Sequence, residues 1–121
     1  MTLPQFNFDF VSGETFTLEI TYKDAAGNPV NLSSGYVVDI DGRVDASSAS
    51  TLFAVDSTTS AVTLSSGSPN IVMTLAASVT GGITAPATGV YDVKVKETTP
   101  DPDVVRYILG GQFTVLKAVT A

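Results

Sequence analysis

Apolar residues recur at every second position in three segments of the chain. Segment 16–22 carries Phe, Leu, Ile and Tyr at every second position, with Thr, Glu and Thr between them. Segments 36–40 and 91–95 show the same spacing, each with a Tyr followed by two branched apolar residues at alternate positions. Because successive side chains of a strand point to opposite faces, this pattern predicts three β-strands with one buried side and one solvent-facing side.

Shorter apolar segments predict further strands. They are 6–10, 51–55, 61–64, 71–75, 104–109 and 112–115. Gly, Pro, Asn and Asp cluster between them, as turns require, and a helical pattern is limited to one turn within 75–80. The spacing predicts an all-β fold, an immunoglobulin-like antiparallel β-sandwich of about eight or nine strands with at most one short helical turn, in a single domain over 1–121.

The turn sequences also predict how some strands pair. We expect segment 15–22 to form a hairpin with 29–32, and the strand ending near Glu97 to form one with the strand starting near Val104. The pair Gly110-Gly111 interrupts the last apolar stretch. Because glycine within a strand marks close backbone approach or a kink, we interpret this pair as a bulge or a sharp bend that lets the strand continue into the other sheet, with a tight hairpin as the alternative.

The chain is acidic and lacks two side chains on which many active sites depend. Its 121 residues include 6 Lys and Arg against 12 Asp and Glu, a net charge of −6, with no His and no Cys. An acidic chain disfavours nucleic acid as a partner. Without imidazole or thiolate, most zinc sites, redox motifs and catalytic triads are excluded. We therefore expect a protein that is not an enzyme and has no cofactor.

The sequence also predicts neither export nor membrane insertion. Segment 1–10 has no Lys or Arg and carries Asp9, unlike the basic start of a signal peptide. No apolar stretch approaches the roughly 20 residues that a membrane-spanning helix needs. We expect a protein that is made in the cytoplasm of its host and has no membrane partner.

Three carboxylates lie close together in the sequence, at Asp39, Asp41 and Asp45. Hard cations such as Ca²⁺ bind oxygen ligands, so these residues are a candidate calcium site. Calcium loops of the EF-hand type place glycine sixth, whereas Gly42 is fourth when counted from Asp39. The favoured interpretation is the solvent-facing side of a strand, with calcium binding as the alternative.

Both ends of the chain contain candidate partner contacts. Phe6, Phe8 and Phe10 alternate with polar residues. This predicts either a first strand in the domain's own core or an N-terminal arm over 1–10 that adds a strand to a neighbouring subunit. A C-terminal tail over 117–121 follows the last predicted strand. The candidate contact residues near this end are Leu116, Lys117 and Val119.

Several motifs, taken in order along the chain, resemble one family. They are SGETFTL at 12–18, DAAGNPVNL at 24–32, GY at 35–36, GVYDVKV at 89–95 and VRYILGGQFTV at 105–115. Their order and spacing resemble small immunoglobulin-like proteins of tailed-phage virions. The resemblance implies a structural component of the virion that is not an enzyme, of the kind found in baseplates, necks, tail fibre attachment points or capsid surfaces. Our leading hypothesis is a component of the tail, baseplate or neck, present in several symmetric copies, that joins other virion proteins. No site residues carry over, because such modules act through surface shape and strand edges.

Two other functions fit the same observations. A capsid decoration protein would use an acidic surface rich in Ser and Thr to keep particles soluble and mutually repelling. A carbohydrate- or host-surface-binding adhesin would need an exposed aromatic platform. The chain has no Trp and four Tyr, three of them at inward-facing strand positions. The virion component is therefore the leading hypothesis.

Overall fold

The structure is a computed structural model that describes residues 4–99 and 102–119. This part of the chain folds into eight strands and one helix of a single turn. The strands are β1 (Phe8–Val11), β2 (Phe16–Ile20), β3 (Tyr36–Arg43), β4 (Phe53–Asp56), β5 (Val62–Leu64), β6 (Ile71–Leu75), β7 (Ala87–Glu97) and β8 (Val104–Leu116). The helix, α1, spans Ala77–Thr80. The predicted all-β fold with one helical turn is confirmed.

The strands form two sheets that pack as a sandwich. One sheet has the order β1-β8-β7-β3-β4 and the other has the order β2-β6-β5. When β2 to β8 are lettered B, C, C′, D, E, F and G, the sheets become B-E-D and G-F-C-C′, which is the strand arrangement of the immunoglobulin fold. One pairing departs from the antiparallel prediction, because β1 runs parallel to β8 at the edge of the larger sheet.

The alternation in the sequence gives the core of the sandwich. Val38 and Ile40 on β3 and Val93 on β7 are completely buried and face the smaller sheet, where Ile71 and Met73 on β6 are buried equally well. Each such side chain stabilises the fold by roughly 1.5–3 kcal/mol when it leaves water. The three alternating segments therefore form strands with their apolar side inward, although the first strand ends at Ile20 and does not reach Tyr22.

Aromatic rings close the core near the N-terminus. Phe8 stacks on Phe16 of the other sheet at a centroid distance of 4.9 Å, and it lies 4.8 Å from the ring of Tyr91. Phe113 contacts the same group and needs Gly89 opposite it, because a Cβ at Gly89 would lie 2.7 Å from the Phe113 ring. The cluster thus joins β1, β2, β7 and β8 across both sheets.

Two predicted details of strand pairing are wrong. Strand β8 continues through Gly110-Gly111 and stays paired with β7 on both sides of them, so this pair is neither a bend into the other sheet nor a hairpin. The irregularity lies two residues earlier, where Val93 faces Leu109 and Lys94 faces Tyr107, which leaves Ile108 as the extra residue of a bulge.

Segment 29–32 does not form the predicted strand. It makes a single antiparallel bridge between Lys23 and Pro29, and the Val30 N–H donates to the Tyr22 carbonyl at 3.0 Å. The second predicted hairpin is confirmed, since β7 and β8 are antiparallel and Glu97 faces Val104.

Candidate functional site

The N-terminal strand belongs to the protein's own core. Phe8 lies opposite Phe113, and Phe10 lies opposite Val115, in the parallel ladder between β1 and β8. Phe10 is 1% exposed, Phe8 is half-buried, and Phe6 is 49% exposed. Of the two predictions for this segment, the strand in the domain's own sheet is the one that the structure contains.

The residues just before β1 are also fixed to β8. The Phe6 N–H donates to the Gly110 carbonyl at 2.9 Å, and the Gly110 N–H donates to the Pro4 carbonyl at 3.0 Å. The Asn7 side chain replaces a backbone acceptor, because its Oδ1 accepts from the Gln112 N–H at 2.9 Å. A Cβ at Gly111 would lie 2.2 Å from the Phe6 oxygen, so this contact requires glycine.

The candidate contact residues at the two ends do not form one patch. Leu116 ends β8 opposite Val11 and is exposed, as are Lys117 and Val119 beyond it. Phe6 lies at the level of Gly111, five residues earlier on β8 and so about 17 Å away at the rise of a strand. Met1 to Leu3 of the predicted arm, and Thr120 and Ala121 of the predicted tail, lie outside the described residues.

The three candidate calcium ligands have other partners. Asp39 lies 3.5 Å from the Lys94 ammonium, and Asp41 lies 3.5 Å from the Arg43 guanidinium. The Asp45 carboxylate accepts hydrogen bonds from the hydroxyl and backbone N–H of Ser47, which lower the pKa of Asp45. Within 4–99 and 102–119, no group of three or more acidic residues is arranged to hold a metal ion. The structure therefore gives calcium binding no support.

Asp39 and Asp41 instead belong to a broad surface of mixed charge, which we call the outer face. It consists of the side chains of the larger sheet that point away from the core. They are Asp9 and Val11 on β1, Val37, Asp39, Asp41 and Arg43 on β3, Ala54 and Asp56 on β4, Thr88, Val90, Asp92, Lys94 and Lys96 on β7, and Val105, Tyr107, Gln112, Thr114 and Leu116 on β8. A shallow groove of about 450 Å³ crosses it, with Gln5 and Tyr107 among its walls.

Charges on the outer face partly cancel. Its five carboxylates face three cationic side chains, a net charge of −2, whereas the whole chain carries −6. The remaining surface and core therefore hold −4. Asp41 lies directly opposite Asp92, and the pKa of Asp92 is raised, first by its burial and then by the negative charge of Asp41. The positive charges of Lys94 and Arg43 lower the pKa of Asp92 and so oppose this shift.

Two exposed apolar side chains adjoin these charges. Val105 is 48% exposed and lies opposite Lys96, and Tyr107 is 55% exposed and lies opposite Lys94. Sequence reasoning missed both residues, since segment 104–109 shows no alternation and the bulge at Ile108 changes which side chains point outward. The neighbouring strand β7 held a usable signal. Its alternation places Lys94 and Lys96 outward, and the residues of β8 opposite them point to the same side.

The comparisons leave the family open. The chain matches no protein-family model, and no curated protein is significantly similar to it. In the part of the chain that the structure describes, no helix is both long and apolar enough to span a membrane. The phage resemblance therefore stays a prediction from the motifs of the chain.

Proposed function

We propose that this protein is a non-enzymatic structural component of a tailed-phage virion, in its tail, baseplate or neck, and that it joins neighbouring copies through the outer face. The observation that supports this proposal is the exposed pair Val105 and Tyr107 on a face that carries both acidic and basic side chains. The motif resemblance supplies the virion context.

The charges of this face can pair between copies. Copies with a net charge of −6 repel one another, and a contact that pairs opposite charges offsets part of this repulsion. Three of its five carboxylates lie on β3 and β4, whereas two of its three cations lie on β7. A two-fold arrangement would bring the acidic half of one face against the basic half of the other, which is the self-complementarity of a symmetric contact.

The exposed aromatic and aliphatic side chains supply the apolar part of such a contact. Tyrosine is enriched in interface cores because it combines a large apolar ring with a polar tip. Tyr107 and Val105 lie next to each other on the outer side of β8, where β8 pairs with β7 on one edge and β1 does not reach the other, since β1 pairs with β8 at 113–116. These two side chains are therefore accessible to a neighbouring copy from the face and from the strand edge.

The first experiment is the mass of the purified chain by light scattering across a range of concentrations. Self-association through the outer face predicts a closed oligomer that Tyr107→Ser dissociates and Val79→Ser, a change at an exposed residue of α1 away from this face, leaves intact. A mass of 12.5 kDa at every concentration would contradict joining of identical copies. It would instead favour a decoration protein that binds a different virion subunit.

The virion context has its own test. Mass spectrometry of purified tailed particles from a host that produces this chain should detect it in a fixed ratio to the major tail or capsid protein. Its absence from washed particles would overturn the virion assignment without bearing on self-association.

A further inference from the structure

A second cavity lies at one end of the sandwich, between the larger sheet and the connection from β2 to β3, and we call it the end cleft. Its volume is about 610 Å³, within the roughly 300–1,000 Å³ of small-molecule sites. Its walls are the inner sides of β3, β7 and β8 at this end, together with the connection between β2 and β3. The residues that bring polar groups to it are Tyr22, Lys23, Asp24, Tyr36, Glu97 and Arg106.

The end cleft is open because strand packing stops there. Val38 and Val95 form a buried cross-strand pair, and the next inward-facing pair along β3 and β7 is Tyr36 with Glu97. Tyr36 and Glu97 are half-buried, and Arg106 opposite Val95 is exposed. At this level the larger sheet faces the connection 21–35 instead of a strand, so its inner side changes from apolar to polar.

The wall of the end cleft formed by the connection is held in place by a buried side chain. Asn70 is completely buried, and its Nδ2 donates to the Tyr22 carbonyl at 2.8 Å and to the Val30 carbonyl at 2.9 Å. Its Oδ1 accepts from the Tyr22 N–H at 2.8 Å. Leu32, 1% exposed, anchors the end of the same connection in the core. Tyr22 and Val30 are therefore positioned before any ligand arrives, which lowers the entropic cost of binding.

Several polar groups in the end cleft are free to bind a ligand. In the described part of the chain, no hydrogen bond or ion pair engages the Tyr36 hydroxyl, the Glu97 carboxylate or the Arg106 guanidinium. They nevertheless lie close enough to interact electrostatically. The pKa of Tyr36 is raised by burial and then by Glu97 and Tyr22, while Arg106 lowers it. The end cleft thus combines free donors and acceptors with two aromatic rings.

We propose that the end cleft is a binding site for a neutral saccharide. Its two cations, Lys23 and Arg106, are matched by the two carboxylates Asp24 and Glu97, so the site does not select a charged ligand. Tyrosine rings offer apolar area and a hydroxyl, and the guanidinium and carboxylate offer donors and acceptors for ligand hydroxyls. A sugar ring presents the matching combination of apolar faces and hydroxyl edges.

This assignment changes the interpretation of the tyrosines. Three of the four were expected to point inward and so to be unavailable to a ligand. Tyr91 is buried, but Tyr22 and Tyr36 are half-buried and line an open cleft. The proposal does not depend on the outer face, because the end cleft lies on the opposite side of the larger sheet.

The test is a titration of isotope-labelled full-length chain, followed by NMR, with three probes. Maltohexaose and chitohexaose are neutral, and an oligogalacturonate of similar length is anionic. We expect saturable shifts around Tyr22, Tyr36 and Arg106 with at least one neutral probe at up to about 10 mM, a range that detects a Kd of about 1 mM. Since the chain has no Trp, tyrosine emission gives an independent readout.

Variants locate the site without unfolding the protein. Tyr36→Phe keeps the ring and removes the hydroxyl, and Arg106→Gln keeps a hydrogen-bonding side chain. Each should weaken binding by about 2- to 10-fold, the range for one hydrogen bond. Glu19→Gln, an exposed change on the smaller sheet, should leave binding unchanged. No saturable shift with either neutral probe, shifts confined to the outer face, or tighter binding of the oligogalacturonate would each overturn the proposal.

Discussion

The Tyr91 hydroxyl donates a hydrogen bond of 2.5 Å to the backbone carbonyl of Phe6, 85 positions earlier in the chain. Tyr91 is buried in the middle of β7, two strands away from Phe6 in the larger sheet. The bond passes over Gly111, the residue of β8 that lies between them and whose missing side chain leaves the space. One side chain thus ties the irregular N-terminal segment to the centre of the sheet.

Removing this bond should weaken the attachment of the N-terminal segment. Tyr91→Phe retains the ring contacts with Phe8 and is expected to lower the free energy of unfolding by about 0.5–1.5 kcal/mol. Hydrogen exchange should increase at the Phe6 and Gly110 amides and stay unchanged at Val38. Equal protection of all three amides in variant and wild type would show that the bond contributes nothing to the attachment.

The same substitution should change stability at high pH. Burial raises the pKa of Tyr91 to about 12, above the ordinary value of 10.0. The folded state therefore favours the neutral hydroxyl. The contribution of Tyr91 to the free energy of unfolding is complete below pH 10 and is lost as the pH rises through 12. Urea unfolding should show a steeper loss of stability between pH 10 and 12 in wild type than in Tyr91→Phe. Parallel pH profiles would contradict burial as the cause.

A methyl group at Gly111 should displace the N-terminal segment. Gly111→Ala would place its Cβ 2.2 Å from the Phe6 oxygen, and the backbone must move to relieve this overlap. We expect a loss of about 1–3 kcal/mol, the usual cost of overpacking. Gly67→Ala is the matched control, because a Cβ there meets only the Ser65 hydroxyl, at 4.0 Å. Equal unfolding midpoints for the two variants would refute the tight contact.

Two phenylalanines of the N-terminal segment should differ sharply in their contribution to stability. Phe10→Ala empties a core position and is expected to cost about 3–5 kcal/mol. Phe6→Ala removes a half-exposed ring and should cost about 0.5 kcal/mol or less. Thermal unfolding of both variants measures the difference. If Phe10→Ala proved as stable as Phe6→Ala, the segment would not serve as a core strand and the arm hypothesis would regain support.

Asp92 should destabilise the protein at neutral pH. Its pKa is raised by burial and by Asp41, so its charged form is disfavoured in the folded state. The protonated Asp92 side chain is therefore compatible with the fold at low pH. The free energy of unfolding falls as the carboxyl ionises. Asp92→Asn should raise the free energy of unfolding at pH 7 by about 0.2–1 kcal/mol and have less effect at pH 3. Glu19→Gln, an exposed change on the smaller sheet, is the control.

Side-chain alternation predicted where strands form more reliably than it predicted which strands pair with each other. In segment 36–40 the pattern sets which side is buried, and the structure agrees at Val38 and Ile40. The alternation of Phe8 and Phe10 likewise predicts their common face. It carries no information about the neighbouring strand, so the parallel pairing of β1 with β8 could not be foreseen. That pairing depends on contacts between residues about 105 positions apart.

The outer face and the end cleft were harder to predict than the strands, because they depend on where regular strand pairing is interrupted or ends. The outer face requires knowing that the bulge falls at Ile108 and not at Gly110-Gly111, which local sequence does not specify. The end cleft requires knowing that segment 29–32 remains a connection, held by Asn70 instead of by a strand ladder. Both features arise from long-range hydrogen bonds, whereas the predicted calcium ligands rested on proximity in the sequence alone.

The parallel pairing of β1 and β8 determines how the protein would bear tension. Pro4 lies beside Gly110 and Val11 lies beside Leu116, so the chain enters at one end of this strand pair and leaves at the other. Pulling on the two ends would slide the strands past each other and load their hydrogen bonds together, in shear. An antiparallel terminal hairpin would instead open one bond at a time. The sandwich is therefore arranged to resist forced unfolding along its long axis, a kinetic resistance that is separate from its equilibrium stability.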